Sequence, residues 1–203
     1  MFKKIVFYGS LLVVLSASVA SAAITTINFE AFAVSASLAT VNATTTPMGV
    51  TFGIASGTSM VSNWGGATPS PLSGNTLTAF DAVGTGSPPV LTATFAGAGT
   101  RSEDLKVDAW DTNVEKVRFD IYDGATLRQS VTLTGVSGTI TFTSGFMITR
   151  MEMVDLSNPN TSPNGDGFVI DNLMFTAPVP EPGTFVLMGA GLGLLGLLRR
   201  RKA

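Results

Sequence analysis

The stretch EKVRFDIYDG alternates cleanly. Val117, Phe119 and Ile121 take one face, and Lys116, Arg118, Asp120 and Tyr122 take the other. A period of two predicts a half-buried strand, closed here by an Asp123-Gly124 turn. ITTINFEAFAV sorts Ile27 and Phe29 from Asn28 and Glu30 in the same way. GVTFGI, TLTAFDAV, VLTATFAG, TLRQSVTLTG, GTITFTSG, FMITRMEMVDL and FVIDNLMFT are further short β-rich runs, bounded by Gly, Pro, Ser, Asn and Asp. Turn signals about 8–12 residues apart, in a core rich in Thr, Val and Phe, predict an all-β chain folded as an antiparallel β-sandwich or jelly roll. No apolar stripe at helical spacing runs beyond about two turns. SEDLKVDAW has a helix-like start at Ser102, yet Leu105, Val107 and Ala109 alternate with Lys106 and Asp108, so a strand is expected. NATTTPMGV and SGTSMVSNWGGATPSPLSGN are rich in Ser, Thr, Gly and Pro and are predicted as long surface loops. Such loops on a rigid sandwich are where binding usually sits.

Both ends break this pattern. Lys3 and Lys4 precede an apolar stretch from Ile5 to Val19, and Ala20-Ser21-Ala22 follows with the small-x-small spacing a signal peptidase accepts. Residues 1–22 therefore read as a signal helix cut after Ala22, with a retained N-terminal anchor as the alternative. Residues 23–177 remain as the exported domain, and residues 178–203 form a tail of different character.

The split changes the charge picture. The whole chain carries 12 basic and 14 acidic residues. The exported domain keeps six of the basic ones (Arg101, Lys106, Lys116, Arg118, Arg128 and Arg150) against thirteen acids, about −7 net. An acidic domain repels phosphates, which argues against nucleic acid as a partner. There is no cysteine, so the domain must be held by its core. A chain of about 155 residues suffices for that. The absence of histidine removes the commonest general base, the commonest zinc ligand and every Ser-His-Asp or Cys-His pairing.

Three groups of residues carry candidate chemistry. DLSNPNTSPNGDGFVID gathers Asp155, Asn158, Asn160, Asn164, Asp166 and Asp171, hard oxygen donors that suit Ca²⁺ but equally form a solvated turn. Trp64 lies in a Gly-rich stretch and Trp110 between Asp108 and Asp111. Rings beside carboxylates and amides can take the apolar face and hydroxyl edge of a sugar, so both tryptophans are candidate polysaccharide-binding residues; the alternative is partial burial in the core. Asp108, Asp111, Asp120 and Asp123 are acids of the type that cleave glycosides in pairs. Each has a simpler solvated reading, and no enzyme activity is expected.

The tail is the most specific signal. Pro178, Pro180 and Pro182 stop regular structure, and APVPEPG reads as an extended linker. Phe185 to Leu198 is uncharged and would span about 21 Å as a helix, short of the roughly 30 Å hydrocarbon slab. Arg199, Arg200, Arg201 and Lys202 follow as a basic stop. A rigid triplet, a short apolar helix and a cationic end, in that order, resemble the PEP-CTERM sorting signal, with Pro180-Glu181-Pro182 as the triplet. The resemblance implies an exported protein of a Gram-negative bacterium, held transiently in the inner membrane by a short C-terminal transmembrane helix. An exosortase-type membrane protease would then process it for the cell surface or for a matrix of extracellular polysaccharide, as in a biofilm. An ordinary C-terminal anchor is the alternative.

GFVIDNLMFT in turn resembles the last strand of jelly-roll carbohydrate-binding modules. In those modules an acid from the first strand and one near the last help hold a structural calcium. That resemblance assigns a metal-ligand role to Glu30 and Asp171. A hydrogen-bonded or arginine-paired Asp171 is the alternative, since a carboxylate in a strand apolar on both faces needs a partner.

Overall fold

The computed structural model describes residues 23–64, 69–80, 88–97, 99–111, 116–133, 136–143, 145–156 and 167–176. Residues 1–22, where a signal helix is expected, and the tail from residue 178 lie outside them, and so does most of the Asn/Asp-rich loop after Asp155. The described residues fall within one compact unit, Ala22–Pro178.

The predicted alternation becomes two facing antiparallel sheets. The strands are β1 (Ile24–Ile27), β2 (Val50–Ser56), β3 (Thr58–Asn63), β4 (Asn75–Phe80), β5 (Val90–Phe95), β6 (Thr100–Arg101), β7 (Lys106–Asp111), β8 (Val117–Asp123), β9 (Thr126–Thr132), β10 (Ser137–Thr141), β11 (Met147–Ile148), β12 (Arg150–Asp155) and β13 (Gly167–Thr176). A six-stranded sheet runs β10-β7-β13-β4-β3, with β1 also on β13. A five-stranded sheet runs β2-β5-β12-β8-β9, and β11 and β6 form a small pair. Among the described residues no helix is long and apolar enough to cross a membrane.

The inward residues are those the alternation selects. Val117, Phe119 and Ile121 of β8 are buried, as are Val107 and Ala109 of β7. Phe29, Phe119, Phe168 and Phe175 are among the largest fully buried side chains. Phe95 and Phe175 face each other across the sandwich with ring centroids 5.4 Å apart, and Phe29 meets Phe52 at 5.9 Å. Each such burial contributes on the order of 1.5–3 kcal/mol.

Two predicted loops are structured. NATTTPMGV contributes to helix α1 (Leu38–Thr45) and a 3-10 turn (Thr46–Met48). The helix buries only Val41 and Thr45, one turn apart, so its apolar stripe is too thin to read; Ser37 caps it by accepting the Thr40 N–H. SGTSMVSNW contains β3, which buries Val61 alone and whose Ser/Thr content resembles a loop. The strand expected in SEDLKVDAW is β7, preceded by a 3-10 turn at Ser102–Asp104.

β13 fixes the layout of the site. Its first half pairs with β4 (Ile170 opposite Leu77) and its second half with β1 (Leu173 opposite Ile27). β1 and β4 thus lie end to end along one edge of β13, while β7 takes the other edge. At their junction the β13–β7 register shifts between Asp171 and Met174, and Asn172 adopts a left-handed φ of 45°. The bulge keeps Phe168, Ile170, Leu173 and Phe175 all in the core despite the odd step between Ile170 and Leu173.

Candidate functional site

The outward face of the six-stranded sheet carries most of the candidate residues. Alternation on β7 sends Val107 and Ala109 to the core and Asp108 and Trp110 outward. On β13 the outward set is Val169 and Asp171, opposite Trp110 and Asp108 respectively. β4 adds Thr76 and Thr78. This face is nevertheless covered: Val169 is 0% and Thr78 1% exposed. Trp64 donates its indole N–H to the Thr78 hydroxyl at 3.4 Å, and Ser137 donates its hydroxyl to the Ser70 carbonyl at 3.0 Å. The segment from Pro69 to Gly74 lies along the same face, and Leu72 is buried apart from the main core cluster.

Trp64 and Trp110 come together. Their centroids are 5.5 Å apart with an interplanar angle of 81°, an edge-to-face pair. Trp110 is half-buried, and Trp64 keeps 40% of its surface exposed. One ring supports the other, so the pair offers a single supported apolar surface rather than two separate platforms.

Glu30 and Asp171 also converge, by a route the sequence did not disclose. Glu30 is not in the first strand; it lies three residues past the end of β1 and is exposed. Its Oε1 accepts the Asn75 N–H at 3.1 Å, and the Asn75 amide donates to the Phe32 carbonyl at 2.8 Å. Asp171 is 1% exposed and accepts the Ser73 N–H at 3.3 Å and the Asn172 N–H at 2.8 Å. The two carboxylates therefore grip one turn, Ser73 to Asn75, at the point where β1 gives way to β4. Gly74 sits between them at φ +61°, and a Cβ there would lie 1.9 Å from Glu30 Oε1. Only glycine fits that close approach.

Asp108 is the third acid of this cluster. The Asn172 amide donates to Asp108 Oδ2 at 3.0 Å and to Asp171 Oδ2 at 3.3 Å, bridging the two carboxylates. The Thr139 hydroxyl donates to the other Asp108 oxygen. The donors here are backbone N–H, amide and hydroxyl groups, and none is a cation. Burial pushes the Asp171 carboxyl above its ordinary value; its backbone donors oppose this, and the charges of Glu30 and Asp108 add to it. Arginine pairing of Asp171 is thus replaced by hydrogen bonding. Asn172 was missed from sequence, although the signal was present: the core spacing in FVIDNLMF slips from two to three at Asp171-Asn172, as a bulge requires.

Two further acids, Asp120 and Asp123, are structural neighbours of arginine. Asp120 lies on the outward face of β8 as alternation predicts, but it is buried, because Arg118 pairs with it at 2.8 Å and Ser130 donates to it. Asp123 pairs with Arg128 at 2.7 Å across the hairpin. Asp155 is buried at the end of β12.

Among the described residues no three acidic side chains converge closely enough to form a metal cluster by themselves. The Glu30–Asp171 pair has the right donor chemistry for a hard cation, but Ca²⁺ takes about six to eight oxygens and further ligands would have to come from the turn carbonyls.

Residues 178–202 match the model of the PEP-CTERM protein-sorting motif. The chain thus carries that motif at the positions where the triplet, apolar run and basic end occur. No curated protein matches the chain. Among solved structures, a point mutant of a family 29 carbohydrate-binding module, CBM29-2, is similar at 15% identity and a TM-score of 0.44, covering 76% of this chain and 92% of that one. The K2 cleaved adhesin domain of Lys-gingipain is similar at 13% identity and 0.44, covering 76% and 99%. A family 11 carbohydrate-binding module from Clostridium thermocellum stands at 13% and 0.40, covering 77% and 96%. These are likenesses of coarse β-sandwich arrangement, and what those proteins bind is a property of those proteins.

Proposed function

We propose that this chain is an exported protein delivered to the cell surface or extracellular matrix by its C-terminal signal. In this reading an exosortase-type membrane protease acts near Pro180-Glu181-Pro182. The observation that carries the reading is the sorting motif over residues 178–202. The apolar run holds the tail in the inner membrane, and Arg199, Arg200, Arg201 and Lys202 keep its far end inside. The sandwich is the cargo, with a structural or adhesive role and no catalytic one. Mass spectrometry of the protein from its native host tests this. A mature C-terminus near Pro180 supports sorting. An intact Arg-Lys-Ala end, or normal processing of a chain with the triplet scrambled and the cations changed to serine, removes it.

A second reading makes the sandwich a carbohydrate-binding module, and the Trp64–Trp110 pair favours it. A half-exposed indole backed edge-on by another ring is held rigid, and a sugar face can stack on it without further ordering cost. Titration of the tryptophan fluorescence with soluble polysaccharides tests this, with Trp64→Ala as the control. A spectrum unchanged across the panel counts against it. A structural Ca²⁺ held by Glu30 and Asp171 belongs to the same reading, because it would tie down the 73–75 turn that both carboxylates already hold. A melting temperature indifferent to chelator removes the cation.

A further inference from the structure

The sandwich has two lateral sides, and among the described residues the chain closes only one of them. On that side the edge of β3 is taken by the segment before α1. Ser35 N–H donates to the Val61 carbonyl at 2.7 Å, and Val61 N–H donates to the Ala36 carbonyl at 3.0 Å. The edge of β2 is closed by a side chain. Asn42 gives its amide N–H to the Phe52 carbonyl and accepts the Phe52 N–H, both at 2.7 Å. The Asn42 amide imitates one residue of a neighbouring strand. Covers of this kind stop an edge from recruiting another chain.

Among the described residues, β9 on the opposite side has no such cover. β9 is seven residues long and, among the described residues, pairs only with β8. Leu133 N–H turns inward to the Val117 carbonyl at 2.9 Å. By the alternation of an antiparallel ladder, the backbone groups of Thr132 and Ser130 turn outward. β9 has no proline, and its single charge, Arg128, is neutralised by Asp123 at 2.7 Å. A bulge at Ile121/Tyr122 bends the hairpin end and leaves Gln129 to Thr132 in regular register. That stretch is also held still. Gln129 accepts the N–H and hydroxyl of Thr143 at 3.1 and 2.8 Å, and Asp120 accepts the Ser130 hydroxyl. The exported domain is acidic, about −7 net, so most approaches of two copies are repulsive. At β9 the charges cancel locally.

We propose that β9 is an assembly edge, on which a second copy of this chain pairs its own β9 antiparallel about a two-fold axis. The two five-stranded sheets then become one continuous sheet. An antiparallel edge is self-complementary under a two-fold, so no separate partner surface is needed. The guarded β2 and β3 edges direct the pairing to this side.

The chain has no cysteine, so one engineered thiol is unique. In the full chain purified in detergent, Thr132→Cys should give about tenfold more covalent dimer on mild oxidation than Thr51→Cys on the guarded edge, because pairing raises the effective concentration of the thiol. Adding Ser130→Pro, which deletes an outward N–H, should abolish that cross-link. Ser130→Lys, which brings like charges together across the axis without altering the backbone, should do the same in a chain whose melting temperature confirms that it is folded. Equal cross-linking at Thr132 and Thr51 overturns the proposal. So does a dimer in sedimentation velocity that survives both Ser130 changes, and so does a monomer at every concentration.

Discussion

The two sheets hold their outward acids in different ways. On the five-stranded sheet three acids each have an arginine: Asp120 with Arg118 at 2.8 Å, Glu152 with Arg150 at 3.2 Å and Asp123 with Arg128 at 2.7 Å. On the six-stranded sheet Asp108 and Asp171, with Glu30 just past the end of β1, lean on N–H, amide and hydroxyl donors at the junction of β1 and β4. The first arrangement is modular, since losing one exposed pair leaves the others intact. The second is joint, because one amide serves two buried carboxylates, and removing it leaves like charges opposite each other in the ladder. An acid cluster of that kind is expected to be brittle, and the arginine ladder tolerant.

The sharpest test is Asn172→Ala. It deletes the donor shared by Asp108 and Asp171 and places alanine at a left-handed φ. The expected loss is about 3 kcal/mol in urea unfolding, summing an unsatisfied buried acceptor and backbone strain. A loss below about 1 kcal/mol would mean that the two carboxylates do not depend on the amide. Next comes Gly74→Ala. Its Cβ would overlap the Glu30 carboxylate, and its φ of +61° disfavours any side chain. Glu30 can swing aside, giving up the Asn75 N–H, so the expected loss is about 2 kcal/mol. The double variant Gly74→Ala with Glu30→Gln should cost no more than the single one if that overlap is the cause.

The contrast also explains what the sequence disclosed. Arg118-x-Asp120 and Arg150-x-Glu152 are two apart on one strand, so alternation alone puts each pair on one face. The strands bearing them are legible for the same reason. Glu30 and Asp171 could be suspected of meeting, because sandwiches bring their first and last strands together. How they meet could not be read. It depends on β1 and β4 sharing one edge of β13, and on Asp108 facing Asp171 in a register set by long-range pairing. α1 and β3 stayed hidden because each buries too little, Val41 with Thr45 and Val61 alone, to leave a pattern. The sorting motif was legible because it is a linear order of residues rather than a fold.

Acid titration separates the two kinds of carboxylate by sign. Burial raises the Asp171 carboxyl, so the folded chain favours its neutral form. Its contribution to stability is greatest below the ordinary carboxylate range and declines as pH rises through the raised value. Asp104 behaves oppositely. The Thr176 hydroxyl chiefly holds it low, against desolvation, with Arg101 assisting. Its contribution is present above the ordinary range and is lost as pH falls through the lowered value. Between about pH 3 and 7 the slope of melting temperature against pH should therefore be more positive in Asp171→Asn than in the parent, and more negative in Asp104→Asn. Parallel profiles for all three chains would break the distinction.

The smallest effect is expected at a part-exposed pair of the ladder. Arg150 pairs with Glu152, and its guanidinium carbon lies 4.3 Å from the centroid of the Tyr122 ring. Tyr122 in turn donates its hydroxyl to Glu152 at 3.1 Å. Arg150→Met keeps the aliphatic packing and removes the charge, so it should cost no more than about 1 kcal/mol, the sum of a weak ion pair and a weak cation–π contact. The charge nevertheless has a local reporter. Burial and Glu152 hold the Tyr122 phenol above its ordinary value, and Arg150 works against them. Removing Arg150 should therefore push the phenol titration still higher. Tyr8 is the only other tyrosine, so in a chain that begins at Ala23 the tyrosinate absorbance belongs to Tyr122 alone. A variant that shifts this absorbance upward while barely moving the melting temperature identifies the ladder as separable pairs. A variant that unfolds would give the five-stranded sheet the same joint electrostatics as the acid cluster.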